Sequence, residues 1–402
     1  MSNGKGGFIG QDGLNAPDEP TDVAAAAGEA SVSVSFTAPS DVGASAITGY
    51  RAQVAGIGTS GTSSPLVVTG LTNGTSYTAN VWAINAFGTS APSGASASFS
   101  PAATQVAFMG GGYDGANVSN IIDYINVNTT GNASDWGDLV TARSGGGPAS
   151  NNTRGLIGAG GNSYGSGYGA QIEYLTWASQ GNSVNFGAIS VQRRFQTGGV
   201  SNDTRGVFAC GRTSSNTGTD VMDYVTIATT GNAVSFGSYV HSARNGPAGC
   251  SSTTRGVFAG GELENGTKQN SINYITIGTT GNSTDFGDLA STSYALGAAS
   301  SSTRGLFTGV GGGDSNENTI NYITISSTGN GTDFGDLTVS LRHHVSSSNK
   351  TRAVTQSSDH YTGGATIDYV TINSVGNATD FGDLTSYRVN PTAVGNAHGG
   401  LS

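Results

Sequence analysis

From Gln105 onward the chain consists of short apolar runs separated by Gly, Ser, Thr and Asn, and the runs recur. The clearest copy reads TRGVFAGG from Thr254, INYITIGTTGN from Ile272 and TDFGDL from Thr284, and five others align with it. Its marker tyrosine falls at Tyr124, Tyr174, Tyr224, Tyr274, Tyr322 and Tyr369, at intervals of 50, 50, 50, 48 and 47 residues. A period of that length predicts a propeller or solenoid, whose small sheets gain stability by stacking on their neighbours. The pattern ahead of it differs. Ala16 to Pro101 carries SVSVSF at Ser31 to Phe36, ITGYRAQV at Ile47 to Val54 and SYTANVWAINAFG at Ser76 to Gly88. Val32, Val34 and Phe36 share one face at period two, as a half-buried strand demands. Residues 1–15, rich in Gly and Asn with one apolar cluster at Phe8 and Ile9, read as a tether or docking peptide.

The first copy begins at its second strand, VAFMGGG from Val106, with no inner strand before it. The final segment, Tyr387 to Ser402, looks like an orphan inner strand, because RVNPTAVGNA aligns with RNGPAGCSST. The C-terminal strand is therefore predicted to pair with the one near Val106 and close a ring. The expected organisation is all-β: a tether at 1–15, a β-sandwich at 16–101 and a six-bladed propeller at 102–402.

Composition narrows the function. The 65 glycines and a charged fraction of only 10% suit short strands and tight turns. A net charge of −10 with three lysines argues against a nucleic-acid partner, which calls for a basic patch. No apolar run reaches the eighteen or so residues that span a bilayer, and the N-terminus lacks the apolar core of a signal peptide. No membrane insertion is expected, and the chain is expected to stay in the cytoplasm or leave by lysis. Cys210 and Cys250 are read as unpaired, partly buried thiols rather than a bridge.

The segment 16–101 resembles a fibronectin type III domain. The residues that carry the resemblance are Pro17 and Pro20, Phe36 at the end of a strand, Ala38-Pro39, Gly49-Tyr50-Arg51, Leu71 followed by Tyr77, and Ala83-Ile84-Asn85 before Gly88. Leu71 and Tyr77 are similar to that family's tyrosine corner, in which the hydroxyl bonds backbone just upstream. Phe36 stands where the family usually has Trp. The six repeats resemble kelch-type blades: Arg244, the inner-strand candidate AGCSSTT, GVFAGG ending at Gly260-Gly261, Tyr274 and Phe286. Trp136 keeps that family's Trp, and Phe186, Phe236, Phe286, Phe334 and Phe381 replace it elsewhere. The Gly doublet degrades to Cys210-Gly211 and Gln356-Ser357.

Most chemical signals belong to the repeat. DFGDL at Asp285, Asp333 and Asp380 lacks the other parts of a kinase and is read as outer strand and turn. The sequons at Asn132, Asn282, Asn330 and Asn377 are read as Gly-Asn hairpin chemistry, both residues tolerating positive φ. Arg154, Arg205, Arg255, Arg304 and Arg352 form one column, and Arg143, Arg194, Arg244, Arg342 and Arg388 a second. One reading is a ring holding an anion or sugar acid near a central channel. The preferred reading is structural, each guanidinium bonding carbonyls or carboxylates of the adjoining blade. His241, His343, His344, His360 and His398 show no metal-ligand spacing, no catalytic constellation stands out, and neither metal nor cofactor is expected.

Function is sought in the loops that break the repeat, between second and third strands. The candidate ligand-binding residues there are Tyr113, Asp114, Asn117, Tyr164, Tyr168, Glu262, Glu264, Asp314, Glu317, His360 and Tyr361. Tyrosine faces stack on sugar rings, and Asn and Asp supply hydrogen bonds. The GGFIGQDGLNAPD opening, low Lys content and architecture resemble structural proteins of tailed bacteriophages, especially those infecting marine cyanobacteria. The resemblance implies a non-enzymatic virion surface or tail-appendage protein, oligomeric within an assembly. It would meet other virion proteins through its N-terminal region and a host-surface glycan or receptor through the propeller. A purely structural capsid, neck or tail decoration and a polysaccharide-degrading propeller enzyme are the alternatives.

Overall fold

The computed structural model describes residues 15–101, 104–162, 167–194, 198–215, 217–311, 317–341, 343–356 and 365–402. It is all-β, with no helix among the described residues. The chain divides into two compact units, Met1–Thr104 and Gln105–Ser402.

In the N-terminal unit one sheet runs Thr21–Gly28, Ser31–Thr37, Leu66–Thr69, and the other Ile57–Gly61, Ile47–Val54, Asn80–Asn85, Gly88–Thr89. The expected alternation holds: Val32, Val34 and Phe36 turn inward against Tyr50, Ala52, Val54, Val81 and Ala83 of the other sheet. The Phe36 and Tyr50 rings lie 4.8 Å apart. The Thr72 N–H donates to the Tyr77 hydroxyl at 3.2 Å, the upstream backbone link expected of a tyrosine corner. Asn85 ties the sandwich end together, donating to the Val42 carbonyl and accepting from the Phe87 and Gly88 N–H groups. Past Thr89 the chain follows a rule that period-two reading misses. Ser90, Ser93 and Ser96 donate their N–H groups to the carbonyls of Ala83, Val81 and Ala79. Their hydroxyls accept the N–H groups of the same three residues. Period three suits a polyproline-like strand, and the serine side chains stand in for the carbonyls such a strand turns away.

The described residues of the second unit form six separate antiparallel sheets. The fourth sheet is representative, running Ala248–Ser251, Arg255–Ala259, Gln269–Thr276, Thr284–Ser293. The second sheet gains a short fifth strand, Arg212–Thr213. The first sheet takes its innermost strand from the far end of the chain. Thr392–Gly395 pairs antiparallel with Val106–Gly110, Thr392 opposite Gly110 and Gly395 opposite Ala107, which is the pairing expected of the orphan segment. None of the sheets closes into a barrel. The innermost strands touch in order: Gly147–Ser150, Gly198–Ser201, Ala248–Ser251, Gly297–Ser300, Val345–Ser348 and Thr392–Gly395, the last also touching the first.

The repeated residues serve the seams between sheets. The apolar core lies there, as where Ala259, Ile272 and Phe286 of the fourth sheet meet Phe307 and Ile323 of the fifth. At the outer edge the glycine of each DFG-like motif sits at a bulge, with Gly287 at φ +148°. A Cβ on Gly287 would lie 2.5 Å from the Gly329 carbonyl of the next sheet, so the motif needs glycine for close approach. The Phe286 carbonyl accepts the Gly329 N–H, and the Asn330 side chain accepts the Asp288 N–H. The same clasp is made by Gly231 and Asn232, Gly281 and Asn282, Gly376 and Asn377, and by Gly131 and Asn132 of the first sheet on Phe381 and Asp383 of the sixth. The sequon asparagines therefore work through their side chains across a seam. None of these asparagines adopts positive φ, which is found at Gly131, Gly329 and Gly376 before three of them, and this corrects the hairpin expectation.

Two further corrections concern the Gly doublet. Gly260 and Gly261 need positive φ, +70° and +100°, and Cys210 adopts φ +61° at the first position. Strand register places Gln356 opposite Ile367 as Ala259 lies opposite Ile272, so Gln356 ends its strand and is not a doublet residue. Both cysteines are free, and they are fully rather than partly buried.

Candidate functional site

The innermost strands carry small residues because they approach each other closely. A Cβ on Gly199 would fall 1.9 Å from the Pro148 carbonyl, and one on Gly249 2.3 Å from that of Gly199. Between the strands two cavities of about 60 and about 50 Å³ share Pro148, Gly199, Gly249, Ala298, Ser346 and Ala393. Each has room for no more than about two waters and is far below the roughly 300–1,000 Å³ of a small-molecule site.

One end of this channel is occupied by the chain itself. Beyond Gly395, the Gly399 N–H donates to the Ser300 carbonyl, and Leu401 is buried. His398 sits 3.3 Å from the Ser201 hydroxyl and accepts the Gly400 N–H. Loss of water around its imidazole lowers its pKa to about 4. His344, fully buried, bonds the Thr308 hydroxyl and the Gly297 N–H, and burial likewise lowers it to about 4.

At the opposite end the sheets are joined by the segments leading into the innermost strands, and the loops between second and third strands leave here too. These segments turn through positive φ at Gly145, Gly246, Ala295, His343 and Asn390. Tyr113 is half-buried: its N–H donates to Val389 and its hydroxyl to the Gly115 carbonyl. Asp114 is exposed, and its carboxylate accepts the N–H groups of Asn117 and Ala116, which hold its pKa below the usual range. Asp114 and Asn117 thus shape their own turn. Tyr168 lies under the Arg194 guanidinium, 4.6 Å from ring centroid to Cζ. Glu262 exchanges backbone hydrogen bonds with Asn245, and Glu264 is exposed on the same loop. Glu317 opens a strand, its side chain over Gly311. Tyr164, Asp314, His360, Tyr361 and Arg342 lie outside the described residues. The described candidates share one end of the sheets without converging on one pocket. Among the described residues no three His, Cys, Asp or Glu side chains form a metal-holding group.

The first Arg column does not face the channel. Arg154, Arg205, Arg255, Arg304 and Arg352 each lie over the marker tyrosine of their own sheet, at 4.2 to 4.6 Å, and donate to carbonyls of the next. Arg352 reaches the Val127 carbonyl, joining the sixth sheet to the first. The tyrosine in turn meets the Phe edge-on, as Tyr274 does Phe286 at 6.1 Å. Cation–π contacts between half-buried groups of this kind contribute about 1 kcal/mol each.

The second column needs a register correction. Buried ion pairs join Arg143 to Glu173, Arg193 to Asp223 and Arg388 to Asp123, so Arg193 and not Arg194 occupies the repeated place. Burial lowers the pKa of all three arginines, and the facing carboxylates oppose that shift. Arg244 bonds the Gly260 carbonyl, the Ser271 hydroxyl and the His241 carbonyl instead, with Asn273 in the place of Asp123, Glu173 and Asp223. The residue before each marker tyrosine, Asp123, Glu173, Asp223, Asn273, Asn321 and Asp368, was the readable signal for these pairs.

Sequence reasoning also missed a non-repeated group at this end. Arg194 and Arg212 are directly opposed on paired strands. Tyr294 is among the electrostatic neighbours of Arg194 and meets His343 edge-on at 5.5 Å. The Arg193-Arg194 doublet, unique in the chain, was its only mark. A comparison with curated proteins gives no match to this chain. Residues 18–99 match the fibronectin type III domain family, so the N-terminal unit carries a fibronectin type III domain.

Proposed function

We propose that the six sheets are the blades of a kelch-like β-propeller closed by the C-terminal strand, and that the chain is a non-enzymatic virion surface or tail-appendage protein of a tailed bacteriophage. Support for the ring comes from the seam between first and last sheets, which carries three links that recur at other seams: the Gly131 clasp, the Arg352 bond to Val127 and the Arg388–Asp123 pair. Residues 1–15 attach the protein to other virion proteins, the fibronectin type III domain spaces it, and the propeller presents a binding face to a host-surface glycan or protein.

One observation carries the binding role: the loops that break the repeat leave every sheet at the same end, while the other end of the channel is filled by residues 396–402. Irregular loops on a repeated scaffold are where recognition is placed. The test is adhesion of the labelled full chain to bacterial cells and to a glycan array, with Tyr164→Ala, Tyr168→Ala and Tyr361→Ala. Adhesion weakened by these variants with unchanged melting is the expected result. Absence of adhesion to any cell or glycan favours decoration of the particle instead, and release of sugar products from a polysaccharide would establish an enzyme.

A further inference from the structure

Residues 396–402 read NAHGGLS, with two glycines between a titratable ring and an apolar side chain. Both glycines are required by fit. A Cβ on Gly399 would lie 1.9 Å from the Ser301 carbonyl oxygen, and one on Gly400 2.1 Å from that of Ser201. The segment is therefore shaped to the ends of the innermost strands, and Gly399, Gly400 and Leu401 are buried there. Its backbone is tied down as well. The Asn396 N–H donates to the Val106 carbonyl, the Gly399 N–H to the Ser300 carbonyl and the Ser402 N–H to the Asp203 carboxylate.

His398 is the side chain of this segment that changes charge near neutral pH. It is half-buried at the channel mouth. Its Nδ1 atom accepts the Gly400 N–H at 3.0 Å and so bears no proton, which leaves Nε2 to carry the ring's hydrogen, 3.3 Å from the Ser201 hydroxyl. A second proton has to go to Nδ1. There it meets the Gly400 N–H donor to donor, and the bond is lost. Loss of water is the largest influence on the ring and holds its pKa down at about 4, while the Ser150 carbonyl and the Asp203 carboxylate favour the cation and Lys350 opposes it. Asp203 lies on the turn after the third sheet's innermost strand and Lys350 on the turn after the sixth's. The fourth and fifth sheets meet the segment with the uncharged Ser251, Ser300 and Ser301.

We propose that residues 396–402 are an acid-released plug: protonation of His398 breaks its bond to the Gly400 N–H and frees the segment from the channel mouth, uncovering Ser201, Ser251 and Ser300. The device sits at the end of the channel away from the loops and does not depend on what they bind. The docked ring titrates at about 4 and the free one at 6.5, so the freed segment binds the extra proton. Docking is at full strength above pH 6.5 and weakens as pH falls towards 4.

The test is hydrogen exchange of the full chain, read by mass spectrometry from pH 7.5 to 4.5 and corrected for the intrinsic pH dependence of exchange. Opening of residues 396–402 is expected to rise about tenfold or more between pH 7 and pH 5. Strands Arg255–Ala259 and Arg304–Thr308 are expected to stay protected, which separates release from unfolding. His398→Asn keeps an oxygen able to accept the Gly400 N–H but gains no proton, and is expected to abolish the rise. Should that variant be loose already at pH 7, NMR titration of the His398 ring in the unaltered chain decides, and an ordinary value near 6.5 overturns the proposal. Exchange of 396–402 that stays constant from pH 7 to pH 5, that rises equally in His398→Asn, or that rises no more than in the two strands overturns it as well.

Discussion

Replacing Arg388 by methionine removes the cation from an ion pair whose two side chains are fully buried and which joins the last sheet to the first. The Asp123 carboxylate is then left uncompensated inside the protein, although it keeps the Thr385 hydroxyl and N–H as donors. Breaking a buried pair in this way costs about 3–5 kcal/mol. Asp123→Asn in the same chain removes the stranded charge. The protein contains that arrangement already, because the fifth sheet has Asn321 at the equivalent of Asp123 and Ser293 at the equivalent of Arg388, and Asn321 accepts the Ala290 N–H at 3.0 Å. The double variant still leaves the Ile121 carbonyl without the guanidinium it bonds at 2.7 Å, a residual cost of about 1–3 kcal/mol. Asp123→Asn alone strands the Arg388 guanidinium and costs about 3–5 kcal/mol as well, so singles of about 4 kcal/mol each against about 2 for the double give a coupling energy of about 6 kcal/mol. Urea titrations of the four proteins of the cycle at pH 7 measure it, with equal m-values as the check on two-state behaviour. Single effects that add to within about 0.5 kcal/mol would refute the claim that the pair acts as a unit.

Stability should fall with acid through the buried histidines. His344 titrates at 6.5 when unfolded and at about 4 when folded, so the unfolded state binds the extra proton and stability drops between those values. The loss is about 2 kcal/mol by pH 5, and His344→Gln should flatten the pH dependence of urea unfolding by that amount; an unchanged slope contradicts it. Gly287→Ala should destabilise by about 2 kcal/mol through its clash with the Gly329 carbonyl, whereas Gly278→Ala, with nothing near its Cβ, should be close to neutral in the same thermal melts. Deleting residues 388–402 removes the innermost strand of the first sheet and the Asp123 partner, and calorimetry should show the second unit's cooperative transition abolished. A truncated chain that melts as before would rule out a structural role for that pairing.

Much of the chain's local architecture could be read from its residues. The alternation at Val32, Val34 and Phe36 placed a strand face correctly, and the orphan segment after Tyr387 pointed to its partner near Val106. The serine strand at Ser90, Ser93 and Ser96 escaped notice because its period is three and its bonds run through side chains. The second Arg column was misread by one residue at Arg194, because an Arg-Arg doublet offers two registers and only the facing Asp223 chooses between them.

The sequence alone determined the repeat, the strand-forming runs and the residue types kept at each place, because strand alternation, turn chemistry and glycine requirements act over a few neighbouring positions. Tertiary structure decided what those residues do. The Asn of the TTGN turn bonds a sheet some forty residues earlier in the chain, and Arg352 meets a carbonyl 225 residues away. Arg194 faces Arg212 only because a short fifth strand joins the second sheet. Such pairings depend on which surfaces stacking brings together, and the spacing of residues along the chain carries no record of that.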